Sequence, residues 1–235
     1  MFHLLRKILD WLFPLTCVCC EQEDCAVCED CWLGVETRII QECPYCRRES
    51  LRGKTCDDCQ EKGAGALDGL ICLWNYHKGS PLARLLYYYK YEAMMEYGAE
   101  LQRRFAEEAG WHLIMNEFDL ITWVPLAVKK WRKRGFNQSE QLAGVLKGNF
   151  CEAVNILQKI RETHSQMSLN RMERLKNLEG AFVVRPELLE KLKGRRVLVV
   201  DDIATTLSTL EEVARALKSA GCSKVIGLVA ARQKD

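Results

Sequence analysis

Four C-x-x-C pairs stand in the first sixty residues of this 235-residue chain, and they constrain its fold more than any other feature. A two-residue spacing lets a tight turn direct two thiolates at one ion, and two such turns complete the tetrahedral shell of a zinc site. The eight ligands suffice for one or two zinc ions, but their spacing leaves open whether the pairs join in order or interleave. The pairs are Cys17 with Cys20, Cys28 with Cys31, Cys43 with Cys46, and Cys56 with Cys59.

This Cys-rich segment contains ten of the 13 cysteines and few apolar residues. Metal binding is therefore expected to supply most of its folding free energy. No export signal is visible, which favours metal over disulfides as the role of the cysteines. Because four thiolates leave no open coordination position, the pattern predicts structural zinc. A further role as a platform for DNA or a protein partner stays open.

The cysteine pattern stops near residue 65, which predicts two domains. Residues 1–65 would hold an amino-terminal amphipathic helix and a double zinc ribbon, and residues 66–235 a larger domain. A chain that is 48% hydrophobic and 28% charged, with a net charge of +2, is typical of a soluble globular protein. No stretch reaches the ~18 apolar residues of a membrane helix, so we expect a cytoplasmic protein. At this net charge, nucleic-acid binding would need a local basic patch.

Strand and helix patterns alternate in the larger domain, which predicts a parallel sheet covered by helices, that is, an α/β fold. In such sheets, ligands bind beyond the carboxyl ends of the strands. Predicted strands cover 67–76, 119–126, 197–201 and 224–230. Predicted helices cover 81–110, 137–150 and about 207–219.

The segment VLVVDDIATTLST places two carboxylates at the end of a buried strand, immediately before a predicted helix. The free N–H groups of a helix start suit a phosphate, and four nearby hydroxyl residues add donors. A phosphorylated ribose, which has both hydroxyls and phosphate, would fit this combination. The alternative is that Asp202 or Thr205 only caps the helix. The acids are Asp201 and Asp202, and the hydroxyl residues are Thr205, Thr206, Ser208 and Thr209.

The same segment resembles the phosphoribosyl pyrophosphate (PRPP) loop of type I phosphoribosyltransferases, whose usual form is an apolar strand, two acids, two variable residues and Thr-Thr-Gly-x-Thr. A more particular resemblance lies at 124–143, VPLAVKKWRKRGFNQSEQLA. A Val-Pro start, a basic helix turn and Arg-Gly-Phe-Asn-Gln are hallmarks of the ComF family of late competence proteins. The segments LLYYYKYEAMMEYG and RETHSQMSLNRMERLKNLEGAF look like parts of the same family. An amino-terminal Cys-pair ribbon belongs to it as well, so the resemblance covers nearly the whole chain.

The resemblance implies a Rossmann-like phosphoribosyltransferase domain preceded by a small zinc ribbon. Asp201 and Asp202 would be the catalytic acids that contact the ribose hydroxyls of PRPP, and magnesium would arrive bridged to its diphosphate. Arg134 and a basic loop would close over that diphosphate. Leu207 departs from the family, which has glycine there. The implied ligand-binding residues are Lys90, Pro125, Leu126, Ala127, Arg134, Ala204, Thr205, Thr206, Leu207, Ser208 and Thr209.

Three functions remain open from the sequence. The first is a PRPP-binding domain that could act as a phosphoribosyltransferase, with turnover undecided. The second is a nucleic-acid-associated factor, because the resemblance implies a part in DNA uptake during natural transformation, beside a competence helicase and recombination proteins. A basic patch around Trp131 would contact single-stranded DNA, although it can equally be a solvated turn or the diphosphate lid. The third is an adaptor with a vestigial site, which Leu207 favours. The patch consists of Lys129, Lys130, Arg132 and Lys133.

Overall fold

The structure, a computed structural model, describes residues 14–38, 41–92, 94–112, 118–147, 151–161 and 178–233. The predicted amino-terminal helix and most of the family-like segment 161–182 lie outside these ranges. Within them, the strands are β1 (Gly69–Tyr76), β2 (Leu120–Trp123), β3 (Glu152–Ala153), β4 (Leu157–Lys159), β5 (Phe182–Val184), β6 (Arg196–Ala204) and β7 (Lys224–Gln233). The α-helices are α1 (Glu29–Trp32), α2 (Asp57–Glu61), α3 (Pro81–Tyr91), α4 (Met95–His112), α5 (Val128–Arg134), α6 (Gln138–Gly144), α7 (Leu189–Leu192) and α8 (Ser208–Ser219).

Five strands form one parallel sheet in the order β1-β7-β6-β2-β3, which confirms the predicted α/β class. Strands β4 and β5 pair separately as an antiparallel ribbon. The central strand β6 is buried on both faces, as its uninterrupted Val-Leu-Val-Val run indicates. Leu198 and Val200 face a core with α3, α4 and α6, whereas Val197 and Val199 face a core with α8. The carboxyl ends of β2 and β6 therefore open at one edge.

The single helix predicted over 81–110 is wrong, because the structure has two helices, of which α3 ends at Tyr91 and α4 begins at Met95. The turn folds α4 back against α3, so that Tyr88 and Tyr97 stack with ring centroids 5.3 Å apart. Gly98 permits this approach, since a Cβ there would lie 2.2 Å from Cε2 of Tyr89. The apolar pattern continues across the break, so periodicity could not reveal it.

The helix predicted over 137–150 is also shorter, and it ends at Gly144. In contrast, the strand predicted over 197–201 extends to Ala204, and the strand predicted over 224–230 extends to Gln233. These extensions carry the sheet up to the polar segments at its carboxyl edge. Among the described residues, no helix has the length and apolar content to cross a membrane.

The Cys-rich segment packs on the edge strand β1. Isolated bridges join Thr37 to Trp74 and Lys54 to Gly69, and the Trp32 and Trp74 rings meet edge to face at 5.3 Å. Buried side chains of its first half, among them Val27 and Val35, share a core with α3 and α4. The division into residues 1–65 and 66–235 stays a prediction.

Candidate functional site

The cysteine pairs join in chain order into two groups of four. Within each group, the four Sγ atoms all lie within 4.8 Å of one another, and neither Cys19 nor Cys25 is a member. Backbone N–H groups donate to the buried sulfurs, as from Cys28 to Cys17 at 3.4 Å and from Cys56 to Cys43 at 3.5 Å. This all-thiolate donor set fits structural zinc, so the chain can hold two ions. The first cluster is Cys17, Cys20, Cys28 and Cys31, and the second cluster is Cys43, Cys46, Cys56 and Cys59.

One cavity of about 450 Å³ lies beyond the carboxyl ends of β2 and β6. The structure brings all predicted catalytic and ligand-binding residues to its wall: both aspartates, Ala204 to Thr209, Pro125 to Ala127, Arg134 and Lys90. Chain segments more than 100 residues apart thus converge on one space. Their convergence gives the site its geometry, whereas the role of each residue stays a prediction.

The two aspartates differ in their surroundings. Asp201 Oδ1 accepts hydrogen bonds from Ser139 Oγ at 2.7 Å and from the Asp202 N–H at 2.9 Å. Asp202 Oδ2 lies 2.6 Å from Lys90 Nζ, and its Oδ1 accepts from the Ile203 N–H. Burial, and secondarily the charge of Asp202, raises the pKa of Asp201 to about 7. Near neutral pH, Asp201 is therefore partly protonated beside an ion-paired Asp202.

The segment after α5 supplies site residues that the sequence reasoning missed. Asn137 Oδ1 accepts from the Ser139 N–H at the start of α6, while its Nδ2 donates to the Val124 carbonyl next to Pro125. Gln138 Oε1 accepts from Arg134 at 2.6 Å, but its buried Nε2 has no hydrogen-bond partner in the described part of the chain. Ser139 and Gln138 both line the cavity. The Arg-Gly-Phe-Asn-Gln motif was the signal that could have found them.

Positive charge surrounds the aspartates. Lys90, Lys130, Arg134 and Lys159 all line the cavity, and Lys159 was not among the predicted site residues. Burial and the charge of Lys130 lower the pKa of Lys159 to about 8. Four cations beside two carboxylates favour a ligand that is itself polyanionic and carries hydroxyl groups.

The loop between β6 and α8 has a backbone conformation that usually requires glycine. Leu207 is the N-cap of α8, with φ of 62° and ψ of −10° in the left-handed region. Its side chain is only 8% exposed and packs in the core beneath α8. Thr206 Oγ1 and Ser208 Oγ lie 2.8 Å apart at the start of the helix. Burial of the leucine thus offsets the steric cost of its backbone conformation.

We expect the Leu207→Gly variant to lose about 1 to 3 kcal/mol of unfolding free energy, because the lost burial outweighs the relieved strain. The Leu207→Ala variant should lose more, since it keeps the strain without the full side chain. Denaturant unfolding of the three proteins measures both differences. A glycine variant that is more stable than the native chain would show that burial of the leucine does not offset the steric cost of its backbone conformation.

The basic segment forms the helix α5, so the predicted basic loop is wrong. Gly135 ends this helix in the left-handed conformation, with φ of 82°, and the chain turns there toward α6. Lys130 and Arg134 face the cavity, and the Arg134 guanidinium lies 5.6 Å from the centre of the Tyr91 ring. Lys129, Arg132 and Lys133 are exposed and do not line the cavity, and Trp131 is 51% exposed.

A protein-family model described as "Phosphoribosyl transferase domain" matches residues 132–235, which include α6, β6, the loop and α8. The parallel sheet, the cavity and this match define the class: a protein with a phosphoribosyltransferase-type domain, here joined to two four-cysteine centres.

Three relatives are similar over most of their length. Competence protein ComFC of Streptococcus pneumoniae (strain ATCC BAA-255 / R6) is 28% identical over 206 residues, or 86% of each chain. DNA utilization protein YhgH of Salmonella typhimurium is 30% identical over 206 residues, which cover 85% of this chain and 87% of the relative. DNA utilization protein YhgH of Escherichia coli (strain K12) is 31% identical over 192 residues, which cover 78% and 80%. The chain therefore belongs to the ComF family.

Proposed function

We propose that this protein binds PRPP, with Mg²⁺ bridged to its diphosphate, as part of DNA uptake and natural transformation. The observation that supports PRPP most is the joining of two carboxylates and a helix-start loop in one cavity. The part in DNA uptake rests on the relatives, whose names are competence protein and DNA utilization protein.

Each end of the ligand meets groups of matching chemistry. The N–H groups and hydroxyls at the start of α8 bind the 5′-phosphate, because a helix start presents free donors and a positive dipole end. Asp202 accepts from the ribose hydroxyls, and the partly protonated Asp201 can also donate to them. Lys130 and Arg134 face the diphosphate beside the turn at Pro125.

The cavity also fits magnesium, because its wall offers carboxylate and hydroxyl oxygens and because Mg²⁺ is commonly held by one or two carboxylates together with substrate phosphates. When bound, the ion neutralises diphosphate charge during cleavage of the glycosidic bond. The chain's own cations, among them Lys159, hold the remaining negative charge in place.

Calorimetric titration of the purified protein with PRPP, with and without Mg²⁺, tests this proposal. We expect saturable binding of one ligand per chain that strengthens with Mg²⁺, and weaker binding of ribose 5-phosphate alone. A folded protein that binds no PRPP at millimolar concentration would contradict the proposal.

A second candidate function, binding of single-stranded DNA, is favoured by the exposed side of α5. Lys129, Arg132 and Lys133 are exposed and do not line the cavity, and Trp131 on the same helix is 51% exposed. Exposed cations and an exposed aromatic ring on one helix suit phosphate contact together with base stacking. Lys130 joins this surface to the ligand cavity.

Replacing Lys129, Lys130 and Lys133 by alanine should flatten the salt dependence of single-stranded DNA affinity. The slope of log affinity against log salt should decrease in magnitude by about 2. Fewer counterions are released on binding when three phosphate contacts are lost, and each contact contributes about 0.7 to the slope. Fluorescence anisotropy across a salt series measures it. The control variant replaces the exposed Lys62, Lys78 and Lys191. Equal slopes in all three proteins would exclude α5 as the contact surface.

A further inference from the structure

The second cluster carries a Cys-Pro-Tyr-Cys turn that contacts α8, the helix that follows the loop of residues 205–207, which we call the phosphate loop. The Tyr45 hydroxyl donates to Glu211 Oε2 at 2.7 Å and accepts from the Leu67 N–H at 2.9 Å. A residue between two metal ligands is thus hydrogen-bonded to α8.

Glu211 continues this connection to the loop. It is 5% exposed, and its Oε1 accepts from the Ala66 N–H at 2.6 Å. Its own N–H donates to the Leu207 carbonyl at 2.8 Å. Tyr45 is therefore joined through one residue to Leu207, the residue held in the left-handed conformation.

Pro44, the neighbouring residue of the same turn, is connected to the other end of the loop. The Pro44 carbonyl accepts from Arg232 Nη2 at 2.7 Å, and Arg232 is 4% exposed. Arg232 lies opposite Ala204 in the pairing of β6 with β7. Consecutive residues of one metal-binding turn therefore support both ends of the loop, Ala204 through β7 and Leu207 through α8.

Close packing holds this contact. Gly65 lies against it, and a Cβ at that position would be 2.3 Å from the Tyr45 hydroxyl and 2.6 Å from Glu211 Oε2. A larger residue would have to displace the tyrosine, the glutamate or both. Position 65, after the second cluster, thus requires glycine because it contacts residues that are distant in the sequence.

The first cluster makes its contacts elsewhere. The Val18 carbonyl accepts from Arg84 Nη1 at 3.1 Å, and the Thr16 carbonyl accepts from the Tyr97 hydroxyl at 2.9 Å. These contacts reach α3 and α4. The two clusters therefore offer a comparison within one molecule.

We propose that the second cluster is a metal-dependent support for the phosphate loop, and that Tyr45 is the positioning residue through which the bound ion raises the affinity for a phosphorylated ligand. This inference rests on the proposed PRPP binding. A closed metal site fixes the turn, and the turn fixes the loop before the ligand arrives. Less conformational entropy is then lost on binding.

The test compares hydrogen exchange at residues 204–211 with PRPP affinity in matched variants. Tyr45→Phe removes the hydroxyl but keeps the ring and all eight cysteines, and Gly65→Ala displaces the same contact. Tyr97→Phe is the control at the first cluster, and Gly110→Ala is the control at a glycine with open space. Zinc content is measured for every protein.

We expect Tyr45→Phe and Gly65→Ala to retain two ions, to exchange faster at 204–211 and to bind PRPP about five- to tenfold more weakly. The control variants should match the native chain in both properties. Cys46→Ser should reproduce the faster exchange, whereas Cys20→Ser should leave the loop protected. If Cys46→Ser does not fold, the comparison of Tyr45→Phe with Tyr97→Phe decides whether the second cluster supports the loop.

Unchanged exchange and affinity in Tyr45→Phe would overturn the inference. Equal losses in Tyr45→Phe and Tyr97→Phe would also overturn it, because they would indicate a general loss of stability. If the native chain binds no PRPP, the proposed function fails, but exchange at 204–211 still decides whether the second cluster supports the loop.

Discussion

Chelation of both ions is expected to unfold the Cys-rich segment and to destabilise the sheet edge on which it packs. Thiolate coordination contributes on the order of 10 kcal/mol per ion in small zinc domains, more than the few apolar side chains here can replace. Trp32 and Trp74 meet at the boundary, so unfolding exposes both rings to water. Tryptophan fluorescence and circular dichroism, followed while a chromogenic chelator reports zinc release, measure the effect.

Cys151→Ser is the control for this experiment, because Cys151 belongs to neither cluster. It should retain two ions and the melting temperature of the native chain. A protein stripped of all metal with unchanged fluorescence and melting temperature would refute a metal-dependent fold for this segment.

The Asp201→Asn variant is expected to bind PRPP about 10- to 100-fold more weakly, since it removes a charged acceptor for the ribose hydroxyls. The same change should stabilise the ligand-free protein at pH 8 by about 4 kcal/mol, because the pKa of Asp201 is raised by about 3 units and each unit corresponds to about 1.4 kcal/mol. The asparagine Oδ1 can still accept from Ser139 and from the Asp202 N–H. Opposite effects on affinity and stability are the signature of a residue kept for binding.

The pH dependence of this stabilisation follows from the pKa of Asp201, raised from 3.8 to about 7. Below about pH 3, the carboxyl group is neutral in both the folded and the unfolded state, so the variant and the native chain should be equally stable. Between about pH 3 and 7, the unfolded state ionises first, and the native chain progressively loses stability relative to the variant. Above pH 7, the difference is constant. Urea unfolding at pH 4, 6 and 8 measures it.

Asp119→Asn is the matched control at the opposite edge of the sheet. Arg196 side-chain and backbone N–H groups donate to Asp119 and lower its pKa. This variant should therefore lose stability at neutral pH, with the loss fading as pH falls, while PRPP affinity is unchanged. If both variants behave alike, the raised pKa of Asp201 is not the cause.

The features predicted from sequence are those encoded locally. The β6 run, the two aspartates and the start of α8 are contiguous, so one segment predicted the strand, its end and the helix. The cysteine spacing predicted metal ligands in the same way, but it could not decide the pairing, which depends on how the turns pack. Ser139 and Lys159 reach the cavity only because α6 and β4 are placed there by the tertiary fold.

Leu207 shows a second limit of sequence reasoning. The sequence shows only that leucine stands where the family has glycine, whereas the structure places it in the left-handed conformation with a buried side chain. Its side chain belongs to the core that contains buried residues of β6 and α8, and the tertiary fold forms that core. The start of the basic helix α5 could not be predicted from sequence either. Gly135 marks its end, but no side chain caps its first turn.

A crystal structure of the protein with PRPP and Mg²⁺ tests the central claim most directly. We predict PRPP in the cavity, with its 5′-phosphate at the N–H groups of residues 206–209, its ribose hydroxyls on Asp201 and Asp202, and one ion in each four-cysteine cluster. Crystals soaked at saturating ligand in which this cavity is open to solvent yet empty, or in which the phosphate lies away from the start of α8, would contradict it.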